Sequence, residues 1–305
     1  MRQLAPVIVG CALALAVFMP GGAAEAKVRV VASTPDLKSL VQSVGGDLVE
    51  AEALARGNQN VHDVEVRPSL MVKLRRADLL ITNGLELDAW ADALVRGANN
   101  PRLLPGGAGR VDASSGVPVL EVPAGRVDRS MGDVHPQGNP HYTLDPEAAV
   151  IVTANIVAGL TRVAPEHRVT FEARRQEFLS RLSAAQARWT KALDAFRGTR
   201  VVVNHNSWIY FLSRFGLEQA GTVEDRPGIP PAPGHVARLI QQMRQERIRV
   251  LILESWGDRR LAERVAGEAG AKLVVLAHTV GAVRGTDSYL DMFDYNVNAL
   301  AQALR

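Results

Sequence analysis

PEHRVTFEARRQEFLSRLSAAQARWTKALDAFR, residues 165–197, reads as one unusually long helix with a single apolar stripe. Phe171, Phe178, Leu182, Ala185, Trp189, Leu193 and Phe196 recur at helical steps, while Glu172, Arg174, Arg175, Glu177, Arg181, Arg188, Lys191 and Asp194 fill the other faces. Pro165 suits a first helical turn, Gly198 suits a stop, and no Gly or Pro interrupts the span between them. At the rise of an α-helix such a segment reaches roughly 50 Å, more than the width of one small domain. Alternating strand and helix patterns resume on both sides, so the helix is expected to bridge two lobes; the alternative is a long surface helix on one domain.

Length and composition agree with two lobes. The chain has 305 residues, 47% hydrophobic and 22% charged, enough to bury sizeable cores. The formal charge is only +3, with Lys and Arg scattered, so no nucleic-acid footprint is indicated. At the N-terminus Arg2 precedes an apolar run from Leu4 to Met19, which Pro20-Gly21-Gly22 ends before Ala24-Glu25-Ala26 offers an Ala-x-Ala cleavage site. Residues 1–26 are therefore expected to be a cleaved signal peptide and the mature chain to be periplasmic. Ile8-Val9-Gly10-Cys11 resembles a lipoprotein box but sits inside the apolar run with too little before it. Cys11 is the sole cysteine, so the mature chain would hold neither a disulfide nor a thiolate metal site. The expected division is an N-terminal lobe over 27–164, the linker helix over 165–198 and a C-terminal lobe over 199–305.

Strands are read at Val28–Ser33, Val49–Ala55 and Leu79–Thr82, with helices at Asp36–Val44, Ser69–Ala77 and Asp88–Arg96. From about 99 to 140 the chain is rich in Gly and Pro and reads mostly as loop, with short strand-like pieces at Arg110–Ala113 and Val117–Val122. Helix Pro146–Val163 leads into the long helix. Beyond it come strands at Arg200–Asn204, Val250–Glu254 and Leu273–Ala277, with helices at Ser207–Phe215, Val236–Glu246, Arg259–Ala269 and Ser288–Leu304. This is an α/β pattern, a mostly parallel sheet flanked by helices in each lobe. Ligands of open α/β sheets sit beyond the carboxyl ends of strands.

Chemistry-bearing residues fall near those ends. His62 follows the second strand, His141 follows the long loop, His205 closes Val201-Val202-Val203-Asn204, and Asp287 ends the loop after Leu273–Ala277. Three neutral imidazoles and one carboxylate are a donor set that tetrahedral zinc accepts, although no short motif of the His-Glu-x-x-His kind occurs. Each of these histidines could equally be a hydrogen-bonded structural residue, and the residue types alone leave that open.

Longer matches decide it. Asn139-Pro140-His141-Tyr142-Thr143-Leu144-Asp145-Pro146 resembles the Asn-Pro-His-x-Trp-Leu-Asp-Pro signature of the zinc and manganese receptors of ABC importers, the cluster A-I solute-binding proteins. Val61-His62-Asp63-Val64-Glu65-Val66-Arg67-Pro68-Ser69 is similar to the first-ligand region of that family. Asn204-His205-Asn206-Ser207-Trp208 resembles the third, Pro227-Gly228-Ile229-Pro230-Pro231 its proline-rich loop, and Thr286-Asp287-Ser288-Tyr289 the fourth. The resemblance implies two lobes joined by a long helix with a metal held between them by His62, His141, His205 and Asp287. It also implies an inner-membrane permease and its ATPase as partners; a metal-donating protein is a further possible partner, and the receptor is expected to be a monomer that binds no nucleic acid.

The chain departs from the family pattern in places. Thr143 stands where tryptophan is usual, Asn60-Val61-His62 replaces Asp-Pro-His, and the stretch 124–139 offers only Asp128, Asp133 and His135 where many zinc receptors carry a loop crowded with His, Asp and Glu. His278 competes with Asp287 for the fourth position, His135 is a secondary capture ligand or a solvent residue, and His167 and His235 read as surface or capping residues. Glu224, Glu254 and Asp145 are candidate partners for imidazole N–H groups. The donor set suits Zn2+ better than Mn2+, and four protein donors would leave no position for an activated water, so the expectation is a receptor and not an enzyme. The competing readings are a manganese or iron receptor of the same family, a three-histidine zinc hydrolase, and a receptor for a larger iron chelate or corrinoid. Ligation needs neutral imidazole, so affinity is expected to fall below a pH of about 6.5.

Overall fold

The computed structural model describes residues 26–305; the expected leader, apart from Ala26, lies outside them, as does Cys11. The chain opens with β1 (Val28–Ala32), α1 (Pro35–Gly45), β2 (Val49–Ala53), α2 (Pro68–Arg76), β3 (Leu79–Thr82), α3 (Ala91–Ala98) and β4 (Arg110–Asp112). All neighbouring strands are parallel, in the order β2-β1-β3-β4. The buried run of β1 and β3 is apolar on both faces, as a strand covered by helices on both sides must be. Helix α4 (Ala148–Val163) closes this half.

The second half repeats the plan with β5 (Arg200–Val203), α6 (Ile209–Phe215), β6 (Glu218–Thr222), α7 (Pro233–Gln245), β7 (Val250–Glu254), α8 (Arg259–Ala269), β8 (Lys272–Leu276) and α9 (Tyr289–Leu304). The sheet is again parallel, ordered β6-β5-β7-β8. Strand β6 has no counterpart in the sequence reading. Its residues, Glu-Gln-Ala-Gly-Thr, carry a single β-branched side chain and a glycine, and they become a strand by lining up on the edge of β5. Val117–Val122 goes the other way: its alternation forms no ladder, and the segment is pinned instead by the Tyr210 hydroxyl, which accepts from Leu120 N at 2.9 Å.

Between the two halves runs α5 (Arg168–Leu193), 26 residues and so about 39 Å long. It is shorter than the sequence stripe because Pro165–His167 and Asp194–Phe196 tighten into 3-10 turns at its ends. Its buried face is Phe171, Phe178, Leu182, Ala185, Trp189 and Leu193. The helix is packed along its length. One apolar cluster runs from β1, β3, α1 and α4 through this face into β5, α6 and α9. Trp189 stacks on Phe293 with centroids 5.1 Å apart and donates from Nε1 to Asp294 Oδ1 at 2.6 Å. Each such large side chain contributes about 1.5–3 kcal/mol by leaving water.

Further contacts join the halves beside the helix. Asp36, buried in the first turn of α1, accepts from Thr279 Oγ1 at 2.6 Å and Val280 N at 2.7 Å, both after β8, and from Thr143 Oγ1 at 3.1 Å. Ser39 Oγ accepts from Tyr289 N at 2.9 Å, and the Tyr289 hydroxyl donates to Thr143 O at 2.7 Å. Arg214 holds Asp145 with two bonds of 2.7 Å. Thr143 is thus part of a polar seam.

Candidate metal centre

His62 and His141 are set by the same local device. Asn60 Oδ1 accepts from His62 N at 3.0 Å, and Asn139 Oδ1 accepts from His141 N at 3.0 Å. Each is an Asx turn, in which a side-chain amide imitates a backbone carbonyl two residues back. Asn60-Val61-His62 and Asn139-Pro140-His141 thus share one turn geometry. Val61 is buried, and its carbonyl accepts from Trp90 Nε1 at 3.0 Å. The Pro140 carbonyl accepts from Asn83 Nδ2 at 3.1 Å, and the Asn83 carbonyl accepts the Tyr142 hydroxyl at 2.6 Å. His205 follows β5, where Asn204 N continues the ladder to Ile252 O at 2.8 Å.

The three rings converge. Their centroids lie 5.0, 5.3 and 5.7 Å apart, with interplanar angles of 69°, 61° and 89°. One donor atom from each falls within 4.8 Å of the others, the one such group among the described residues. His62 Nε2 and His141 Nε2 are 3.1 Å apart. For an ion about 2.05 Å from each nitrogen that separation subtends about 98°, near the tetrahedral value. His205 Nδ1 donates to Glu224 Oε2 at 2.8 Å, which leaves Nε2 as its metal-facing lone pair. Glu224 is itself fixed, since the same oxygen accepts from Gly228 N at 2.7 Å. Of the three proposed imidazole partners, only Glu224 has that role. Glu254 accepts from Ser207 Oγ and Trp208 Nε1, and Asp145 pairs with Arg214.

Asp287 does not join the three histidines, contrary to the sequence expectation. Its side is exposed, one residue before Ser288, which caps α9 by accepting from Asp291 N. The flanks have their own anchors: Thr286 closes a tight turn onto Val283 and Gly281, and Tyr289 N is held by Ser39 of α1. His278 is buried, donating from Nε2 to Gln59 O at 3.2 Å, and its Nδ1 has no partner; it too lies outside the group. His135 lies next to His62, its Nε2 3.3 Å from His62 Nδ1 and its ring 26° from coplanar. His235 bonds the Thr222 carbonyl and His167 packs on Phe171.

Burial, reinforced by the neighbouring imidazoles, holds His62 and His141 well below their ordinary pKa, so both are neutral donors in weak acid. Burial likewise lowers His135 and His278 to about 4. His205 differs. Burial pushes it down, but the hydrogen bond to Glu224 and the charges of Glu254, Glu224 and Asp133 outweigh this and raise it. A cavity of about 160 Å³ opens beside the rings, lined among others by Glu121, Asp133, His135, His141, His205 and Asn206. The sequence reading missed Trp256, which packs edge-on against His205, and Glu121, whose carboxylate takes amides from Asn139 and Asn206. No pattern marks either one. The Asn-x-His pairs were the readable signal for the turns.

Several known proteins are similar to this chain. The zinc-binding lipoprotein AdcA of Streptococcus pneumoniae is 22% identical over 96% of this chain, which spans 59% of that protein's length. The manganese ABC transporter substrate-binding lipoprotein PsaA of the same species is 24% identical, covering 91% of this chain and 89% of its own. The iron ABC transporter substrate-binding lipoprotein MtsA of Streptococcus pyogenes is 23% identical, with 91% and 89% covered. Among solved structures, a crystal structure of ZnuA superposes with a TM-score of 0.77 at 22% identity over 92% of this chain and all of that one. A periplasmic metal-binding protein of Candidatus Liberibacter asiaticus gives 0.75 at 20%, with 92% and 100% covered. The family model described as zinc-uptake complex component A periplasmic matches residues 30–303, and the chain belongs to that family, ZnuA.

Proposed function

We propose that this chain is the substrate-binding component of a metal ABC importer and that it captures Zn2+ between its lobes through Nε2 of His62, His141 and His205. The observation that carries the reading is the convergence of three imidazoles from loops on both sides of α5. The relatives by name bind zinc, manganese or iron, so the choice of metal rests on the donors. Nitrogen donors favour zinc, whereas manganese prefers oxygen-rich, higher coordination. With Asp287 outside the group, the set is poorer in oxygen than the sequence implied, which favours zinc. A water from the adjoining cavity completes the tetrahedron.

A mature chain exported to the periplasm would meet the metal there and dock on a membrane permease driven by its ATPase. His62 and His141 precede α5 and His205 follows it, so a small separation of the lobes removes one nitrogen from the other two and weakens the site. That is the proposed release step. A three-histidine zinc hydrolase is the second reading, and the missing fourth side chain favours it, because three protein ligands plus water is a catalytic set. Two of the nearby carboxylates are already committed, Glu224 to His205 Nδ1 and Gly228 N and Glu121 to Asn139 and Asn206, which leaves Asp133 as the acid a hydrolase would need.

Titration of the metal-free protein with zinc against a competing chelator tests the receptor reading. One equivalent bound tightly, with affinity lost in His141→Ala, is expected. No tight binding, or an unchanged variant, contradicts it; turnover of ester or peptide substrates by the zinc-loaded protein would favour the hydrolase.

A further inference from the structure

The loop bearing Glu121 contains a conformational anomaly that the metal site does not explain. Glu121 has φ of 54°, the left-handed region that costs a non-glycine residue about 1–3 kcal/mol and persists only where its surroundings enforce it. The enforcement is visible. Leu120 N donates to the Tyr210 hydroxyl at 2.9 Å, Leu120 O accepts from Asn139 N at 2.9 Å, and the Tyr210 hydroxyl donates on to Asn139 O at 2.8 Å. So held, the Glu121 side chain reaches over the cleft. Its Oε2 accepts from Asn139 Nδ2 at 2.9 Å and from Asn206 Nδ2 at 2.8 Å.

Those two amides belong to the ligand loops. Asn139 is the residue whose Oδ1 fixes His141 N, and it also donates to Asn206 O at 2.8 Å. Asn206 directly follows His205, and its Oδ1 accepts from Gln219 Nε2 at 2.7 Å, so neither amide is free to turn over. Beside the direct Asn139–Asn206 bond, one carboxylate oxygen thus ties the His141 loop, which precedes α5, to the His205 loop, which follows it. The bonds are charge-assisted and stronger than amide-to-amide ones.

We propose that Glu121 is a positioning residue that latches the His141 loop to the His205 loop and so slows metal release. The proposal rests on the three-imidazole reading of the site. Opening the lobes must break the Glu121–Asn206 and Asn139–Asn206 bonds together with the His205–metal bond, so the latch acts mainly on the off-rate. Its backbone strain is the counterpart of that function.

The test is zinc dissociation from the full chain into excess chelator, followed by stopped flow for the wild type, Glu121→Gln and Glu121→Gly, with melting of each metal-free protein and the visible spectrum of each cobalt-loaded protein. Glu121→Gly is expected to release zinc about 10–100-fold faster, as loss of an outer-sphere partner does, with Glu121→Gln intermediate. The metal-free glycine variant should melt within about 5 °C of the wild type, because relief of the strained φ offsets the two lost bonds. The cobalt spectra should coincide. Release rates within about twofold of the wild type in both variants would overturn the latch. So would a changed cobalt spectrum, which makes Glu121 a ligand, or faster release that appears only with a fall of more than about 5 °C in metal-free melting, which makes its role structural. A wild-type protein that binds no metal overturns the site reading itself, and the latch with it.

Discussion

Replacing Asp36 by asparagine should change how stability depends on pH. The carboxyl is fully enclosed between α1 and the turn after β8, accepts three hydrogen bonds, and is raised by burial from 3.8 to about 6. A raised carboxyl binds its proton more tightly folded than unfolded. Its contribution is therefore fully present below 3.8 and is lost as pH rises through about 6. A displacement of about two pH units corresponds to about 3 kcal/mol. Asparagine keeps an acceptor for Thr279 and Val280 and an amide for the Thr143 hydroxyl, but never ionises. Urea unfolding of the metal-free wild type and Asp36→Asn, measured in steps of pH, isolates the group because other titrations cancel in the difference. The stability of the wild type relative to the variant should fall by about 3 kcal/mol between roughly pH 4 and 7. Two curves that stay parallel to within about 0.5 kcal/mol would refute the burial argument.

Other substitutions probe separate links. Glu224→Ala removes the acceptor for His205 Nδ1 and should weaken zinc binding by about 10–100-fold, or about 1.4–2.8 kcal/mol, in a chelator competition; wild-type affinity would show that the bond does not orient the ligand. Phe178→Ala empties part of the shared core against α5 and should cost about 3–5 kcal/mol in chemical unfolding, whereas a loss below about 1 kcal/mol would mean the helix face is not carrying the two halves. Gly57→Ala would set a methyl against the Gly281 backbone, 2.6 Å from the Val280 carbonyl oxygen, and should destabilise the metal-free protein by about 1–3 kcal/mol; unchanged melting would show that the two loops part freely.

The long helix was legible because one stripe of large apolar residues repeats over its whole length, and burial selects that same stripe. Its true ends were not, since a proline-led turn and Asp194–Phe196 are helical in pattern but 3-10 in geometry. Strand β6 could not be read from Glu-Gln-Ala-Gly-Thr because its partner β5 supplies the reason it is extended. At the site, three histidines after strands and loops were readable from position and motif. Asp287 was marked by its place after the last strand and by motif, and neither encodes where Asp36 and Ser39 seat the turns around it. Glu121 was invisible for the opposite reason: its partners lie 18 and 85 residues away, with no local pattern to announce them.

Zinc K-edge absorption spectroscopy on the protein loaded with one equivalent of zinc counts the imidazoles directly. Four-coordinate zinc is expected, with three imidazole nitrogens at about 2.0–2.1 Å and one light donor from water. One or no imidazole in the zinc shell, or zinc that does not remain with the protein, would contradict it.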